Sequence, residues 1–352
     1  MRIGLIVYDD LEKGSGGYLY DRKLVEHLRN SGDRVEIIEV PQKERSLQNI
    51  EHNFSKELEK NIEDKELDIL IEDELCFLSL FQLNKKIDNE VEIISVIHHL
   101  SHLAERESEK EEMYKYFEKK YLETVDGFIF NSEASRKAVN ELIGNSSGIV
   151  ANPGKDHFDS PENIDKDFSS YELNALFIGN FSPHKCVDVI IRAIAGVEDV
   201  QLTLIGDRYW NEKYGEKIDK LVSSLEAENK VDIMGRIRRE KLLEELHKAD
   251  VLVLPSLYEG FGISIIEALG LGTPVIATNK GGPSEIIKNG IEGFLVPPKN
   301  EEALKDRLKR LRDESSTLQE MSERAMKRYK KLPTWYESMD KIRKFLCSIY
   351  CE

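Results

Sequence analysis

The residues best suited to chemistry lie in residues 255–270, which read PSLYEGFGISIIEALG and follow an apolar run. Gly260 and Gly262 permit a tight turn and a close approach of a ligand to the backbone. The helix predicted to begin near Gly262 would direct its positive end toward that ligand. Glu259 precedes this helix and Glu267 lies within it, so the two carboxylates could hold sugar and ribose hydroxyls on either side of a diphosphate. An ordinary strand, loop and helix with a capping glutamate would show the same spacing.

A second loop carries a lysine suited to binding an anion. Residues 179–185 read GNFSPHK and also follow an apolar run. Ser182 and Pro183 are typical of an N-cap and of the first helical position, which would place Lys185 in the first helical turn. A cation at that place opposes the helix dipole unless an anion lies between them. The spacing therefore favours a phosphate ligand, with a plain surface lysine as the alternative.

Three histidines, His98, His99 and His102, follow the apolar run at residues 92–97. Three imidazoles so close in sequence could bind a metal ion. No cysteine or carboxylate stands beside them at ligand spacing, however, and we predict no metal site here. The alternatives are a contact with the substrate and a plain structural role.

Glycines follow the first apolar run, where residues 14–17 read GSGG and open a predicted helix. A dinucleotide-binding fingerprint requires G-x-G-x-x-G directly after the strand. Here Leu19 occupies the third glycine position, and residues 8–13 separate the motif from the strand. The spacing therefore argues against a dinucleotide-dependent oxidoreductase.

Short apolar runs alternate with amphipathic segments in both halves of the chain, which predicts repeated strand–helix units. Because the strands are apolar on both faces, we expect parallel sheets covered by helices on both sides. Ligands bind such sheets at the carboxyl ends of the strands, which is where the candidate residues lie. The predicted strands are residues 2–7, 34–40, 67–71, 92–97, 127–130, 148–151, 174–178, 201–205, 231–234, 251–254, 274–277 and 293–296, with helices notably at 17–30, 106–123 and 133–143.

Two domains are expected from this pattern. The polar residues 155–171 separate the two series of strands and are predicted to form a linker. The first domain is placed at residues 1–155 and the second at residues 172–330. After an interruption at Pro333, a final helix over about 334–352 carries an apolar face that we expect to pack on the first domain.

Composition disfavours several classes of protein. With a formal net charge of −16 over 352 residues, the chain should repel nucleic-acid phosphates, so we expect no nucleic-acid partner. No apolar stretch is long enough to span a bilayer, and the N-terminal apolar run is too short for a signal peptide. Together with four scattered cysteines that form no CxxC pair, these features predict a cytoplasmic protein and leave peripheral membrane contact open.

Residues 255–270 resemble the E-x7-E signature of the retaining glycosyltransferases of family 4, with Glu259 and Glu267 as the two glutamates. The segments LGTPVIAT, GGPSEII and GIEGFLV that follow are similar to the same family. The resemblance is dense over about residues 174–300 and scattered before them. It implies the α/β fold called GT-B, in which two Rossmann-like, doubly wound parallel-sheet domains face each other across a cleft that holds the active site.

The resemblance also implies roles for particular residues. It makes Glu259, His98 and Lys185 the catalytic residues, with the first two on the transferred sugar. It places Glu267 on the ribose of the donor. The donor-binding residues are predicted to be Gly16, Gly17, Lys185, Arg236, Gly260, Phe261, Gly262, Ile263, Ser264 and Glu267.

Two positions depart from the family pattern. Asn180 stands where the family usually has an arginine on the donor diphosphate, and His99 stands where an aspartate usually follows the histidine. One charge partner of the diphosphate is therefore missing, and Arg236 or Arg238 could replace it.

The predicted function is that of a hexosyltransferase. It would move a sugar from a nucleoside diphosphate sugar to an acceptor hydroxyl, with retention and without a metal or other cofactor. The acceptor would be a saccharide, a lipid-linked molecule or a small molecule. The alternatives are a sugar-nucleotide epimerase or phosphorylase of the same fold, and a non-catalytic sugar-nucleotide-binding partner of another transferase, which Asn180 keeps open.

Overall fold

The computed structural model of the chain describes residues 1–11, 16–43, 47–87, 91–105, 108–161, 166–168 and 170–351. Within these residues the chain forms two compact units. The first unit takes in Met1–Leu103, Glu107–Gly154 and Pro333–Glu352, and the second is built chiefly from Lys155–Leu332.

The first unit is organised around a parallel sheet. Its strands are β1 (Arg2–Tyr8), β2 (Arg34–Val40), β3 (Ile69–Asp73), β4 (Glu92–Ile97), β5 (Gly127–Phe130) and β6 (Gly148–Val150). In the described part of the unit these six strands lie in the order β2-β1-β3-β4-β5-β6. The strand order reverses between β1 and β3, and such a switch point is where open α/β sheets bind their ligands.

Helices connect these strands. They are α1 (Gly16–Asn30), α2 (Lys56–Glu63), α3 (Phe77–Leu80), α4 (Ser108–Leu122) and α5 (Glu133–Ile143), with 3-10 turns at Leu47–Phe54, Glu74–Cys76, Asn84–Lys86 and Ser101–Ala104. The predicted helix over residues 106–123 starts outside the described residues, and α4 covers the rest of it. The sequence pattern did not indicate α2, which begins at the N-cap Ser55.

The second unit has the strand order of a dinucleotide-binding sheet. Its strands are β7 (Leu173–Ile178), β8 (Val200–Ile205), β9 (Val231–Gly235), β10 (Val251–Leu254), β11 (Val275–Thr278) and β12 (Gly293–Val296). Among the described residues they form a six-stranded parallel sheet in the order β12-β11-β10-β7-β8-β9. The switch point of this sheet therefore lies between β7 and β10.

The helices of the second unit cover both faces of the sheet. They are α6 (Val187–Ala195), α7 (Glu212–Ser224), α8 (Arg239–Lys248), α9 (Ile263–Gly270), α10 (Pro283–Ile286), α11 (Glu301–Asp313) and α12 (Ser315–Tyr329). Every residue of β10 and β11 is buried, as expected for strands that are apolar on both faces. Across the described ranges, no helix combines the length and apolar character that crossing a membrane requires.

The prediction of a plain linker at residues 155–171 was incomplete. Lys155 Nζ donates a hydrogen bond to the carbonyl of Lys330 at 2.7 Å, and Ser160 Oγ donates to that of Gly270 at 2.6 Å. Because the polar side chains of this stretch satisfy backbone carbonyls of the second unit, its described residues lie on that unit although they have no helical periodicity.

The last helix, α13 (Trp335–Tyr350), belongs to the first unit. A capping box between Thr334 and Glu337 starts it. Its apolar face is buried and contacts α1, and Arg343 Nε donates to Asp33 Oδ2 at 2.7 Å. The buried residues of this face are Trp335, Met339, Ile342 and Leu346.

We predict that Ile342→Ala destabilises the first unit by about 2–5 kcal/mol, because it leaves a cavity under α13. Trp335 lies in the first unit and Trp210 in the second, so fluorescence of the Trp210→Phe protein during urea unfolding reports the first unit. The matched control is Tyr350→Ala on the same helix, at a side chain that is 55% exposed. It should change the stability by less than about 0.5 kcal/mol, and equal losses in the two variants would contradict the packing described here.

Candidate active site

Two loops meet at the switch point of the second sheet and bring two predicted catalytic residues together. Lys185 follows β7 and Glu259 follows β10, and Lys185 Nζ lies 2.8 Å from Glu259 Oε2. Ser256 Oγ donates to the same carboxylate oxygen at 3.3 Å, and Leu257 N donates to the His184 carbonyl at 2.8 Å. The side chains of Lys185 and Glu259 are 22% and 18% exposed. The pair is therefore held by the protein and remains within reach of a ligand.

The predicted helix start is present, with Ser182 before the first turn, Pro183 at its beginning and Lys185 within it, but the turn is a separate 3-10 segment and not the start of α6. Pro183–Lys185 form a 3-10 turn, which ends at Cys186 with a φ of 55°, and α6 begins only at Val187. Ser182 precedes the turn in an extended conformation, but its side chain makes no capping hydrogen bond. The left-handed residue at Cys186 separates the two helical segments. Lys185 is thus oriented by the Glu259 carboxylate rather than by the dipole of α6.

Close backbone packing fixes the loop that carries Glu259. Gly282 N donates to the Glu259 carbonyl at 2.9 Å. A Cβ atom on Gly281 would lie 2.0 Å from that carbonyl oxygen, and one on Gly282 would lie 2.5 Å from the Gly260 carbonyl oxygen. Two glycines are therefore required here for steric reasons, which accounts for the GG dipeptide of the sequence.

The start of α9 offers backbone N–H groups beside this loop. Gly262 has a φ of 108° and is the N-cap of α9, and Ile263 and Ser264 follow in the first turn. The Phe261 side chain is buried in the apolar core of the unit. Of the predicted donor-binding residues in this segment, Phe261 can therefore offer only its main chain to a ligand.

The second glutamate of the motif, Glu267, is almost fully buried and contacts two basic residues that the sequence did not indicate. Its Oε1 lies 2.8 Å from His157 Nε2 and 2.7 Å from an Arg239 nitrogen. The Arg239 contact is an ion pair without the alignment of a hydrogen bond. Burial raises the pKa of Glu267, but the hydrogen bond from His157 and the charge of Arg239 outweigh it and lower the pKa below its usual value. Glu267 is thus kept ionised.

The predicted donor residue Arg236 directly follows β9 and is largely exposed. Its guanidinium is 62% exposed and comes no nearer than 4.0 Å to the Asp207 carboxylate. Of the arginines near the start of α8, it is Arg239 that reaches Glu267. Asn180, in the position of the family's arginine, accepts a hydrogen bond from Asp207 N at 3.1 Å and thereby links the loops after β7 and β8.

In the first unit, the predicted histidine lies at the carboxyl edge of the sheet. His98 follows β4, and its Nε2 is 3.1 Å from Oδ1 of Asp21 on α1. Glu74 accepts a hydrogen bond from His98 N at 2.8 Å, and Asn131 Nδ2 donates to the His98 carbonyl at 2.8 Å. A Cβ atom on Gly17 would lie 3.4 Å from the His98 ring, so the structure brings these two predicted residues together. The predicted Gly16 is the first residue of α1.

Carboxylates dominate the electrostatics around His98. Burial alone would lower the pKa of His98, but the negative charge and hydrogen bond of Asp21, with the charges of Asp73 and Glu74, raise it to about 10. Burial also raises the pKa of Asp73 and of Glu74, and the neighbouring carboxylates raise them further. The cluster therefore retains protons that the same residues would release in water.

No metal site was predicted because no cysteine or carboxylate stands beside the histidines at ligand spacing in the sequence, but the fold does bring carboxylates close to His98. Ligand atoms of Asp21, Asp73 and His98 lie within 4.8 Å of one another, although these residues are far apart in sequence. His102 instead contacts Glu118 Oε2 through Nδ1 at 2.6 Å. Spacing along one segment could not show carboxylates supplied by other elements. The absence of a metal remains a prediction.

Comparison with known proteins relates the second unit to a known family. Residues 161–328 match the family described as glycosyl transferases group 1. The match covers most of the second unit, which is therefore similar to the domains of that family. The chain is 32% identical over 169 residues to an uncharacterized glycosyltransferase of Methanocaldococcus jannaschii, a match that covers 48% of this chain and 46% of that protein. It is 31% identical over 159 residues to the D-inositol 3-phosphate glycosyltransferase of Pseudarthrobacter chlorophenolicus, over 44% of this chain and 37% of that one. The matches span less than half the length of these two relatives.

Solved structures resemble the chain over nearly its whole length. Sucrose-phosphate synthase from Thermosynechococcus elongatus gives a TM-score of 0.85 at 20% identity and covers 99% of each chain. Anabaena HepE, solved in complex with UDP and glucose, gives 0.76 at 19% identity over 99% of this chain and 100% of that one. At these identities the likeness shows the fold, and the predicted GT-B class with two Rossmann-like units is confirmed.

The raised pKa of His98 predicts how the stability of the first unit changes with pH. The folded chain binds this proton more tightly than the unfolded chain, so the stabilisation is complete below about pH 6.5, the usual pKa of histidine. It is lost as the pH rises through about 10. We expect the unfolding free energy of His98→Asn to fall less than that of the wild type between about pH 7 and pH 10. Urea unfolding followed by Trp335 fluorescence, in the Trp210→Phe background, gives the unfolding free energy of both proteins at each pH. If the two free energies change in parallel with pH, a charged His98 is ruled out.

Proposed function

We propose that the protein is a retaining glycosyltransferase that moves a sugar from a nucleoside diphosphate sugar to an acceptor hydroxyl. The observation that carries the proposal is the pairing of Lys185 with Glu259 at the switch point of a unit that is similar to group 1 glycosyltransferase domains. A cation, a carboxylate and the first N–H groups of α9 are what a diphosphate with an attached sugar requires. The acceptor is assigned only by class, as a saccharide, a lipid-linked molecule or a small molecule.

The donor would rearrange the Lys185–Glu259 pair. A diphosphate carries more charge than a carboxylate and would become the counterion of Lys185, beside Ser264 and the N–H groups that follow Gly262. Glu259 would then accept hydrogen bonds from sugar hydroxyls. Glu267, held ionised by His157 and Arg239, would accept hydrogen bonds from the ribose. Anabaena HepE was solved with UDP-glucose, so UDP-sugars are the first donors to test.

The proposed chemistry relies on electrostatics and positioning. As the bond from the anomeric carbon to the diphosphate oxygen breaks, negative charge grows on the leaving group, and Lys185 and the N–H groups at the start of α9 would stabilise it. A leaving phosphate oxygen could take the proton of the acceptor hydroxyl on the same face of the sugar, which gives retention. His98 of the first unit would hold the transferred sugar. No metal or cofactor is assigned a role in this proposal.

Nucleotide-induced thermal stabilisation tests the donor site. At a hundred times its dissociation constant, a bound UDP, GDP or ADP, or one of their sugars, should add about 2.7 kcal/mol of stability. Lys185→Ala should abolish this gain because the diphosphate loses its cation, and Glu267→Gln should weaken it. Both are compared with Lys213→Ala, an exposed lysine on α7 of the same unit.

The gain should be intact in Lys213→Ala. Since Glu267 is buried, the quantity compared is the ligand-induced shift in the unfolding temperature of each variant, not the temperature itself. If the wild type shows no shift with any of the nucleotides, the proposed donor site is wrong.

Product analysis tests the chemistry. With a sugar nucleotide whose anomeric carbon is α-linked, NMR of the product should show an α-glycoside, and turnover should be unchanged after dialysis against EDTA. A β-linked product would contradict retention, and a loss of turnover that Mg²⁺ or Mn²⁺ restores would contradict metal independence. Activity with inorganic phosphate as the only co-substrate would indicate a phosphorylase instead of a transferase. Epimerisation of the sugar nucleotide without an acceptor would indicate an epimerase.

A further inference from the structure

Asp21 is a buried carboxylate that the proposed chemistry leaves without a role. It lies on α1 with its side chain fully buried, and its Oδ1 is 3.1 Å from His98 Nε2. Its other oxygen, Oδ2, is buried and has no hydrogen-bond partner among the described residues. An ionised carboxylate in such a place is costly unless a positive charge lies beside it. The His98 imidazole is the group in contact that can supply this charge.

The contacts of His98 determine which ring nitrogen it can offer to a substrate. Nε2 is occupied by Asp21, and the main chain is held at N by Glu74 and at the carbonyl by Asn131. Within the described part of the chain Nδ1 has no hydrogen-bond partner, and the side chain keeps 8% of its surface exposed. Gly17 leaves the ring uncovered by any side chain of its own.

We propose that Asp21 is a positioning residue, which holds His98 as an imidazolium and turns it so that the Nδ1–H group is its donor to the substrate. The inference rests on the proposed function, since it concerns how the first unit holds the sugar nucleotide. A protonated imidazole donates a stronger hydrogen bond to a sugar hydroxyl than a neutral one does, and its charge favours a transition state in which the sugar is losing an anionic leaving group.

The groups around His98 come from three elements and have the same sign of charge. Asp21 faces it from α1, Asp73 from the end of β3, and Glu74 from the 3-10 turn that follows β3. The edge of the Tyr20 ring also packs against the imidazole, with ring centroids 5.4 Å apart. Of the three carboxylates, Asp21 is the one in side-chain contact with the ring, so it sets the orientation as well as contributing charge.

The test is Asp21→Asn, which keeps the shape of the side chain and removes its charge. The matched control is Glu118→Gln, which removes the carboxylate of a second buried imidazole–carboxylate pair in the same unit, at His102. Imidazole ¹⁵N NMR follows the protonation of His98, whose signals are assigned by their loss in His98→Asn. Initial rates with a sugar nucleotide give kcat and KM as functions of pH.

We expect His98 to remain protonated through neutral pH in the wild type and in Glu118→Gln. In Asp21→Asn its titration should move toward the ordinary value of about 6.5. At a pH above that value, kcat of Asp21→Asn should fall by about 10-fold or more, with little change in KM for the donor, and it should recover as the pH is lowered. A purely structural role would lower the rate without moving the titration or the pH profile.

Three further results would overturn the proposal: a neutral His98 in the wild type at pH 7, an unchanged kcat in Asp21→Asn, or a stoichiometric divalent ion that Asp21→Asn fails to bind. The NMR measurement needs no substrate, which separates this inference from the proposed function. A wild-type protein with a charged His98 but no transferase activity would remove the proposed function. An active wild type whose Asp21→Asn variant is equally active would remove only the role of Asp21.

Discussion

Both units depend on the same constraint, which is that parallel strands bring all of their carboxyl ends to one edge of a sheet. Where the strand order reverses, the connecting segments leave in opposite directions and expose that edge. In the second unit this place lies between β7 and β10 and holds Lys185 and Glu259. In the first unit it lies between β1 and β3, and Asp73 ends β3 there. The helices and cores keep these few side chains at fixed distances.

The two switch points differ in their electrostatics. At the switch point of the second unit, both glutamates of the motif have basic partners. Glu259 is paired with Lys185, and Glu267 is paired with His157 and Arg239. An anion can enter such a site by exchanging with a carboxylate that is already paired. At the first switch point, carboxyl groups outnumber basic ones, and burial raises the pKa of Asp73 and of Glu74 above their usual values. That arrangement favours the donation of hydrogen bonds over the binding of phosphate.

The fold was largely predictable because strands buried on both faces leave a continuous apolar signal, and each predicted strand has a counterpart within two residues. Among the site residues, Lys185 and Glu259 could be found because a motif places them directly after strands. Asp21 carried a weaker signal, since it lies one helical turn after Gly17 and so on the same face of α1. His157 and Arg239 carried none, because their importance comes from a contact with Glu267 that only the folded chain creates.

The position of α13 makes the second unit an insertion within the first. The segment up to Gly154 and the helix from Trp335 build one core, and the whole of Lys155–Leu332 is made between them. Domains generally fold as the chain leaves the ribosome, the earlier ones first. Here the later unit can be complete while the earlier one still exposes the surface of α1 that α13 covers. During synthesis the first unit must wait for its last helix, and until then its unfinished apolar face is exposed to aggregation.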